Sequence, residues 1–239
     1  MDPSLILLAF IVGYLCGAIS FTRLITRRID PHTNLDDVYL EIKGMDEPMK
    51  MHAMSANTAS MKYGSKVGCT IGALDMLKVF IPTLVIRLLY PGQNEFLIVA
   101  IAGMIGHNWP VFYRFKGGRG ISAFYGGLLA VDPIGAVVTS IIGMGIGMSV
   151  FKDFLVSYLA GLWLILPWLW FTSHNPYYPL YGLAANLLFL LAMIPEIRDI
   201  IRLRKQYGKG ELRSMMNGIP MGSSMLKIMD HLGMSKKST

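Results

Sequence analysis

Long apolar runs, each closed by polar or turn-forming residues, constrain this chain more than any other feature. They cover Leu5–Phe21, Val67–Tyr90, Phe96–Phe112, Ile134–Val150, Phe154–Phe171 and Pro179–Ile194, with a shorter run at Ile121–Val131. Apolar stretches of about 17–25 residues with little charge read as membrane-spanning helices, and a run of eleven is too short to cross about 30 Å of hydrocarbon straight on. Of the 239 residues 53% are hydrophobic and 15% charged, whereas soluble domains carry about 25% charged residues. This composition excludes disordered, collagen-like, coiled-coil and disulfide-scaffold classes. Cys16 and Cys69 both lie in apolar stretches, so neither a disulfide framework nor a zinc motif is offered. The expected fold is an all-α integral membrane protein of about seven transmembrane helices, one of them short. Residues 1–211 form the bundle and 212–239 a cytoplasmic tail.

The charges set the expected orientation. Seven crossings put the termini on opposite sides, and twenty of the 22 Lys and Arg then fall on one side. The other two, Lys78 and Arg87, lie within the second run. The positive-inside rule produces this asymmetry, which places the N-terminus outside and the tail in the cytoplasm. It also accounts for the net charge of +7 without nucleic acid, whose readers carry a basic patch on a folded module. Only Met1-Asp2-Pro3-Ser4 precedes the first run, and without a basic n-region a removable signal peptide is not expected. The pairs Gly13/Gly17, Gly68/Gly72 and Gly143/Gly147 predict close helix packing rather than a site.

Two groups of residues carry chemistry. Asp75 and Lys78 stand three apart on one helix face, and each charge near mid-membrane costs about 2.5–3.5 kcal/mol. They must face the bundle interior and pair, either as a structural ion pair or in a polar cleft that meets a phosphate. The second group is Arg114-Phe115-Lys116-Gly117-Gly118-Arg119-Gly120. Its glycines let backbone N–H groups turn inward as an anion nest, and the positive end of the next helix points at the same spot. A basic loop that only obeys topology and touches anionic lipid heads is the other reading. His107, just upstream, either caps a helix or orients and exchanges protons with a ligand. No HExxH, GxSxG or Walker loop occurs, so protease, hydrolase and ATPase chemistry lack support.

The block from Gly106 to Gly120, Gly-His-Asn-Trp-Pro-Val-Phe-Tyr-Arg-Phe-Lys-Gly-Gly-Arg-Gly, resembles the G-H-x-F-P-V-F-x-x-F-K-G-G-K-G signature of the PlsY-type acyltransferases. These are bacterial membrane enzymes that move an acyl chain from acyl phosphate to glycerol 3-phosphate. Asp75 and Lys78 match the family's D-x-x-K-G, with Val79 in place of the glycine, and Tyr14 to Phe21 is similar to its opening Y-L-x-G-S-I-P-F. The family's first cytoplasmic loop reads S-G-N-x-G-A-T-N-x-x-R. An ungapped alignment puts its Ser and Arg on Met51 and Met61, whereas a four-residue deletion lets Ser55-Ala56-Asn57 stand for S-G-N with Lys62 as the nearest cation. Toward the C-terminus Glu196 and Asp199 replace the family's His and Asn.

The resemblance implies a PlsY-like acyltransferase of phospholipid biosynthesis in the bacterial inner membrane, with acyl phosphate, glycerol 3-phosphate and membrane lipids as partners. No metal or cofactor is expected. Lys116, Gly117, Gly118, Arg119 and Gly120 would cradle phosphate. Lys78, oriented by Asp75, would neutralise a second anionic group, and Ser55, Asn57 and His107 would orient the reacting groups. Loss of the family's Ser/Arg and His/Asn positions favours the alternative, a catalytically degenerate relative that binds an anionic lipid or phosphate ligand.

Overall fold

The computed structural model describes residues 2–33, 38–40, 49–51, 55–147, 149 and 154–217. Among them, four segments are long and apolar enough to cross a membrane: Pro3–Ile29, Ser65–Leu89, Glu95–Tyr113 and Tyr177–Pro195. Shorter apolar helices occupy Ile121–Val131, Pro133–Ile146 and Leu159–Ser173. Among the described residues, strand occurs in a two-stranded antiparallel ribbon, β1 (Val38–Leu40) on β2 (Met49–Met51), with Val38 opposite Met51.

The first run is two helices rather than the expected Leu5–Phe21. Helix α1 (Pro3–Ala18) starts at Asp2, whose carboxylate accepts from Ser4 N at 2.9 Å, with proline at the first position, both standard helix-start chemistry. It ends where Ile19 turns extended. Ser20 then caps α2 (Phe21–Ile29), its hydroxyl accepting from Arg23 N. A serine that can cap competes with helix continuation, and the break leaves the Ile19 carbonyl free for another donor.

Helix α3 (Ala56–Tyr63) leads through Gly64 into α4 (Ser65–Leu89). In α4 the residues Gly68, Ile71, Asp75, Lys78, Val79, Thr83 and Ile86 are buried, while Leu77, Ile81, Val85, Leu88 and Leu89 are exposed. Inside-out amphipathicity of this kind is what a lipid-facing helix shows when its polar residues face protein. Helix α5 (Glu95–Asn108) is buried along most of its length and forms the bundle's centre. Gly13 and Gly17 of α1 allow the contact: a Cβ at Gly17 would fall 2.0 Å from the Gly103 carbonyl oxygen, and one at Gly106 2.2 Å from that of Tyr14. Gly143 meets Gly161 across the next pair of helices in the same way. Gly13, Gly17, Gly68 and Gly143 lie in close packing seams, as expected, whereas a Cβ at Gly72 would make only ordinary contacts.

Helix α6 (Ile121–Val131) has the predicted bounds, and its length of about 16 Å follows from how it ends. The Arg87 guanidinium donates to the Ala130 carbonyl at 2.6 Å and to Val131 at 3.1 Å, covering carbonyls that the helix itself leaves open. Asp132 then caps α7 (Pro133–Ile146) by accepting from Gly135 N at 2.8 Å. Its second oxygen accepts from Trp168 Nε1 at 2.8 Å, fixing α8 (Phe154–Ser173). Helix α9 (Tyr177–Asn217) continues 23 residues beyond the expected end at Ile194 and across the expected 211/212 boundary. Its Pro195 does not stop it. The tail residues 218–239 lie outside the described residues.

Candidate active site

A narrow crevice opens between the α1–α2 break and the C-terminal end of α5, lined by Ser20, Asp75, Lys78, His107, Pro110 and Gly118 among others. Each lining group is there for a local reason. Lys78 lies one helical turn after Asp75, and its ammonium stands 2.8 Å from Asp75 Oδ1. It also donates to the Ile19 carbonyl at 2.6 Å, the group released where α1 gives way to α2. Both charged side chains are almost fully enclosed. The ion pair required by the cost of membrane burial is therefore present, and it faces the same crevice as the glycine loop.

His107 Nδ1 lies 3.7 Å from Asp75 Oδ1. Its ring backs onto the loop: a Cβ at Gly118 would fall 2.2 Å from His107 Nε2, and one at Gly117 2.2 Å from the His107 carbonyl oxygen. Space, not backbone angle, thus explains these two glycines. Only Gly120 of the three has a positive φ, at 87°. The expected inward nest needs one correction, since the Gly118 N–H donates to the His107 carbonyl at 3.0 Å and already has its partner. The loop's positive-φ stress falls instead on Arg114 and Phe115, at φ 54° and 60°. Two successive non-glycine residues in the left-handed region cost on the order of 1–2 kcal/mol each, and such strain gathers at functional sites.

Several bonds strap this loop down. The Tyr14 hydroxyl donates to the Trp109 carbonyl at 3.0 Å and accepts from Val111 N at 3.1 Å. Arg23, 8% exposed, donates to the Lys116 carbonyl at 3.4 Å and lies 5.0 Å from the centre of the Tyr113 ring. Sequence reasoning missed Arg23 and Tyr14 as parts of the site. Tyr14 falls in the stretch similar to the family's opening, but nothing in that pattern tells its hydroxyl from that of a lipid-facing tyrosine.

The remaining predicted residues sit around the crevice rather than on its wall. Lys116 is exposed, Arg119 and Gly117 are half-buried, and Gly120 is buried at the start of α6. Ser55 caps α3, its hydroxyl accepting from Thr58 N at 3.3 Å, and Asn57 is half-buried in the first turn of α3. That turn lies near the start of α6. A Cβ at Gly72 would meet Ala56 at 3.7 Å and Ser122 at 3.8 Å, on the α4 face one turn before Asp75. Lys62 turns away, its ammonium donating to the Thr33 hydroxyl at 3.1 Å. Met61 is half-buried in α3. The side chains of Met51, Glu196 and Asp199 lie outside the described residues. Among the described residues, no three His, Cys, Asp or Glu side chains gather as a metal site would need.

A family model described as glycerol-3-phosphate acyltransferase matches residues 46–206, which include the ion pair, the histidine and the glycine loop. The chain belongs to that family. A glycerol-3-phosphate acyltransferase of Mycoplasma mycoides subsp. mycoides SC is 31% identical over 143 residues, 57% of this chain and 51% of the relative. The chain thus spans about half the length of that relative. Glycerol-3-phosphate acyltransferase 3 of Dehalococcoides mccartyi is 26% identical over 211 residues, 82% of this chain and 92% of the relative. A Neisseria meningitidis serogroup C relative of the same name is 26% identical over 201 residues with equal coverage. The fold is similar to crystal structures of PlsY, an integral membrane glycerol 3-phosphate acyltransferase. The glycerol 3-phosphate form matches with a TM-score of 0.68 at 23% identity, covering 83% of this chain and 93% of that one. The lysophosphatidic acid form matches with a TM-score of 0.66. With its long apolar helices, the chain is a multi-pass membrane protein of this family.

Proposed function

We propose that this chain transfers an acyl group from acyl phosphate to glycerol 3-phosphate, forming lysophosphatidate for phospholipid synthesis. The observation that carries the reading is the convergence of the Asp75–Lys78 pair, His107 and Gly118 of the glycine loop on one crevice. With Ser20 at the α1–α2 break, they come from three separate parts of the sequence. In the reaction, the glycerol 3-phosphate hydroxyl attacks the acyl carbon, the bond from that carbon to the phosphate oxygen breaks, and phosphate departs with the hydroxyl proton. No covalent enzyme intermediate is needed. Rate comes from holding two reactants together and from fixed positive charge where negative charge develops. Lys116, Arg119 and the loop from Gly117 to Gly120 hold phosphate, and Lys78 neutralises a second anionic group. His107 orients the hydroxyl. Asn57, in the first turn of α3, contributes to positioning.

The chain crosses the bacterial inner membrane seven times with the N-terminus outside, so the crevice opens to the cytoplasm. Twenty of 22 cations on one side support this orientation. The test is direct. Purified protein in detergent, given acyl phosphate and glycerol 3-phosphate, yields lysophosphatidate, and Lys116→Ala with Arg119→Ala abolishes it. The degenerate-relative reading draws on Ser55, whose hydroxyl caps α3, and on Lys62, which is drawn to Thr33. Phosphate binding without product favours it.

A further inference from the structure

Asn108, the last residue of α5, is 3% exposed, yet neither its amide oxygen nor its amide nitrogen has a hydrogen-bond partner. Its side chain lies against Gly120: a Cβ there would fall 2.5 Å from Asn108 Oδ1 and 3.0 Å from Nδ2. Gly120 is the residue that opens α6, and no side chain caps that eleven-residue helix. The first N–H groups of a helix lack partners within it and form its positive end. Two unmet needs therefore coincide, a buried amide with no partner and a helix start with no cap. A side chain kept only for packing would be apolar here, since an unmatched buried amide is unfavourable.

We propose that Asn108 is a binding residue of the anion site, its amide nitrogen donating to a phosphoryl oxygen held at the N-terminus of α6. The inference rests on the phosphate-binding part of the proposed function, but not on acyl transfer. The amide takes the place of the missing cap, and Gly120 leaves room for that amide beside the helix start, where a Cβ would meet it. Phosphate monoesters, phosphatidate headgroups and inorganic phosphate share the chemistry required.

The test measures binding of inorganic phosphate and of glycerol 3-phosphate to the full chain in detergent by calorimetry, with thermal melts of every variant. Asn108→Ala weakens both ligands by about 10- to 100-fold, the usual effect of losing a hydrogen bond to a charged group. Asn108→Asp, of equal size but carrying a negative charge and no donor, weakens them further. Asn108→Ser, which keeps a donor, recovers part of the loss. Binding by the Ala and Asp variants within twofold of the unmodified protein overturns the inference. If those variants fail to fold, a phosphate-soaked crystal of the unmodified protein decides. Nδ2 at about 3 Å from a phosphoryl oxygen upholds the inference, and phosphate bound elsewhere overturns it. Displacement of phosphate by short-chain phosphatidate but not by glycerol 3-phosphate assigns the Asn108 contact to a lipid headgroup. Asn108-dependent binding without lysophosphatidate formation refutes acyl transfer alone, whereas normal turnover by both variants refutes only the role of Asn108.

Discussion

The polar groups around the crevice and those between α7, α8 and α9 are partnered to different degrees. In the α7–α9 half, Asp132 uses one oxygen for Gly135 N and the other for Trp168. The Ser140 hydroxyl bonds Tyr125 and the Ala136 carbonyl, and the Asn186 amide donates to both the Leu162 and Gly182 carbonyls. These contacts tie helices together in a solvent where apolar faces gain little from meeting. Around the crevice, full charges are buried, Asn108 has no partner, and two residues of the loop hold left-handed backbone. The α7–α9 half satisfies most of its polar groups internally, with Asn186 Oδ1 the exception; around the crevice both amide atoms of Asn108 and Nδ1 of His107 are left without a partner. Buried charge gathers around the crevice, with Glu95 at the opposite end of α5 the exception, and neutral hydrogen bonds mark the seams.

Substitutions that separate stability from activity test this contrast. The largest loss is expected for Lys78→Met, which leaves Asp75 enclosed without its cation and destabilises the fold by about 3–5 kcal/mol, read by denaturant or thermal unfolding in detergent. Asp75→Asn combined with Lys78→Met recovers much of that stability while acyl transfer stays absent. A double variant no more stable than Lys78→Met breaks the ion-pair account. Next comes Gly17→Ala at the α1–α5 crossing, where the added carbon meets the Gly103 carbonyl. It costs about 1–3 kcal/mol by overpacking and lowers turnover only through the folded fraction. Asp132→Ala removes the α7 cap and the Trp168 bond and costs about 1–2 kcal/mol, with turnover per folded molecule unchanged. A fall in that turnover would join the two halves. Smallest is Asn186→Ala, about 0.6 kcal/mol, the usual size of a helix–helix hydrogen bond in a membrane.

Much of this was legible in the residues. The apolar runs mark the long helices because hydrocarbon leaves a chain few ways to satisfy its backbone, and the bounds of α6 were readable to the residue. The burial of Asp75 and Lys78 followed from the cost of charge in lipid, and the glycine pairs marked real seams. Other features escaped the pattern. The break after Ala18 depends on whether Ser20 caps a helix or continues one, and both are open to a serine in an apolar run. Glu95 was left outside the third run, yet it is 1% exposed in the first turn of α5 and accepts from Asp2 N at 3.2 Å. The helix start explains why an acid is tolerated there. Arg87 was seen only as a cation within a span, because a carbonyl pair at the end of another helix leaves no mark on its sequence neighbours.

The class of fold, the segments that meet lipid and the basic, glycine-rich character of the loop after α5 were all readable along the chain. Those follow from hydropathy, spacing and charge, which act along the chain. Only the tertiary structure decided that Lys78 reaches the Ile19 carbonyl, that Gly117 and Gly118 are small to admit His107, and that Asn108 lies unpartnered behind Gly120. Each is a contact between distant segments, fixed by how closely the helices pack and by which backbone groups that packing leaves open.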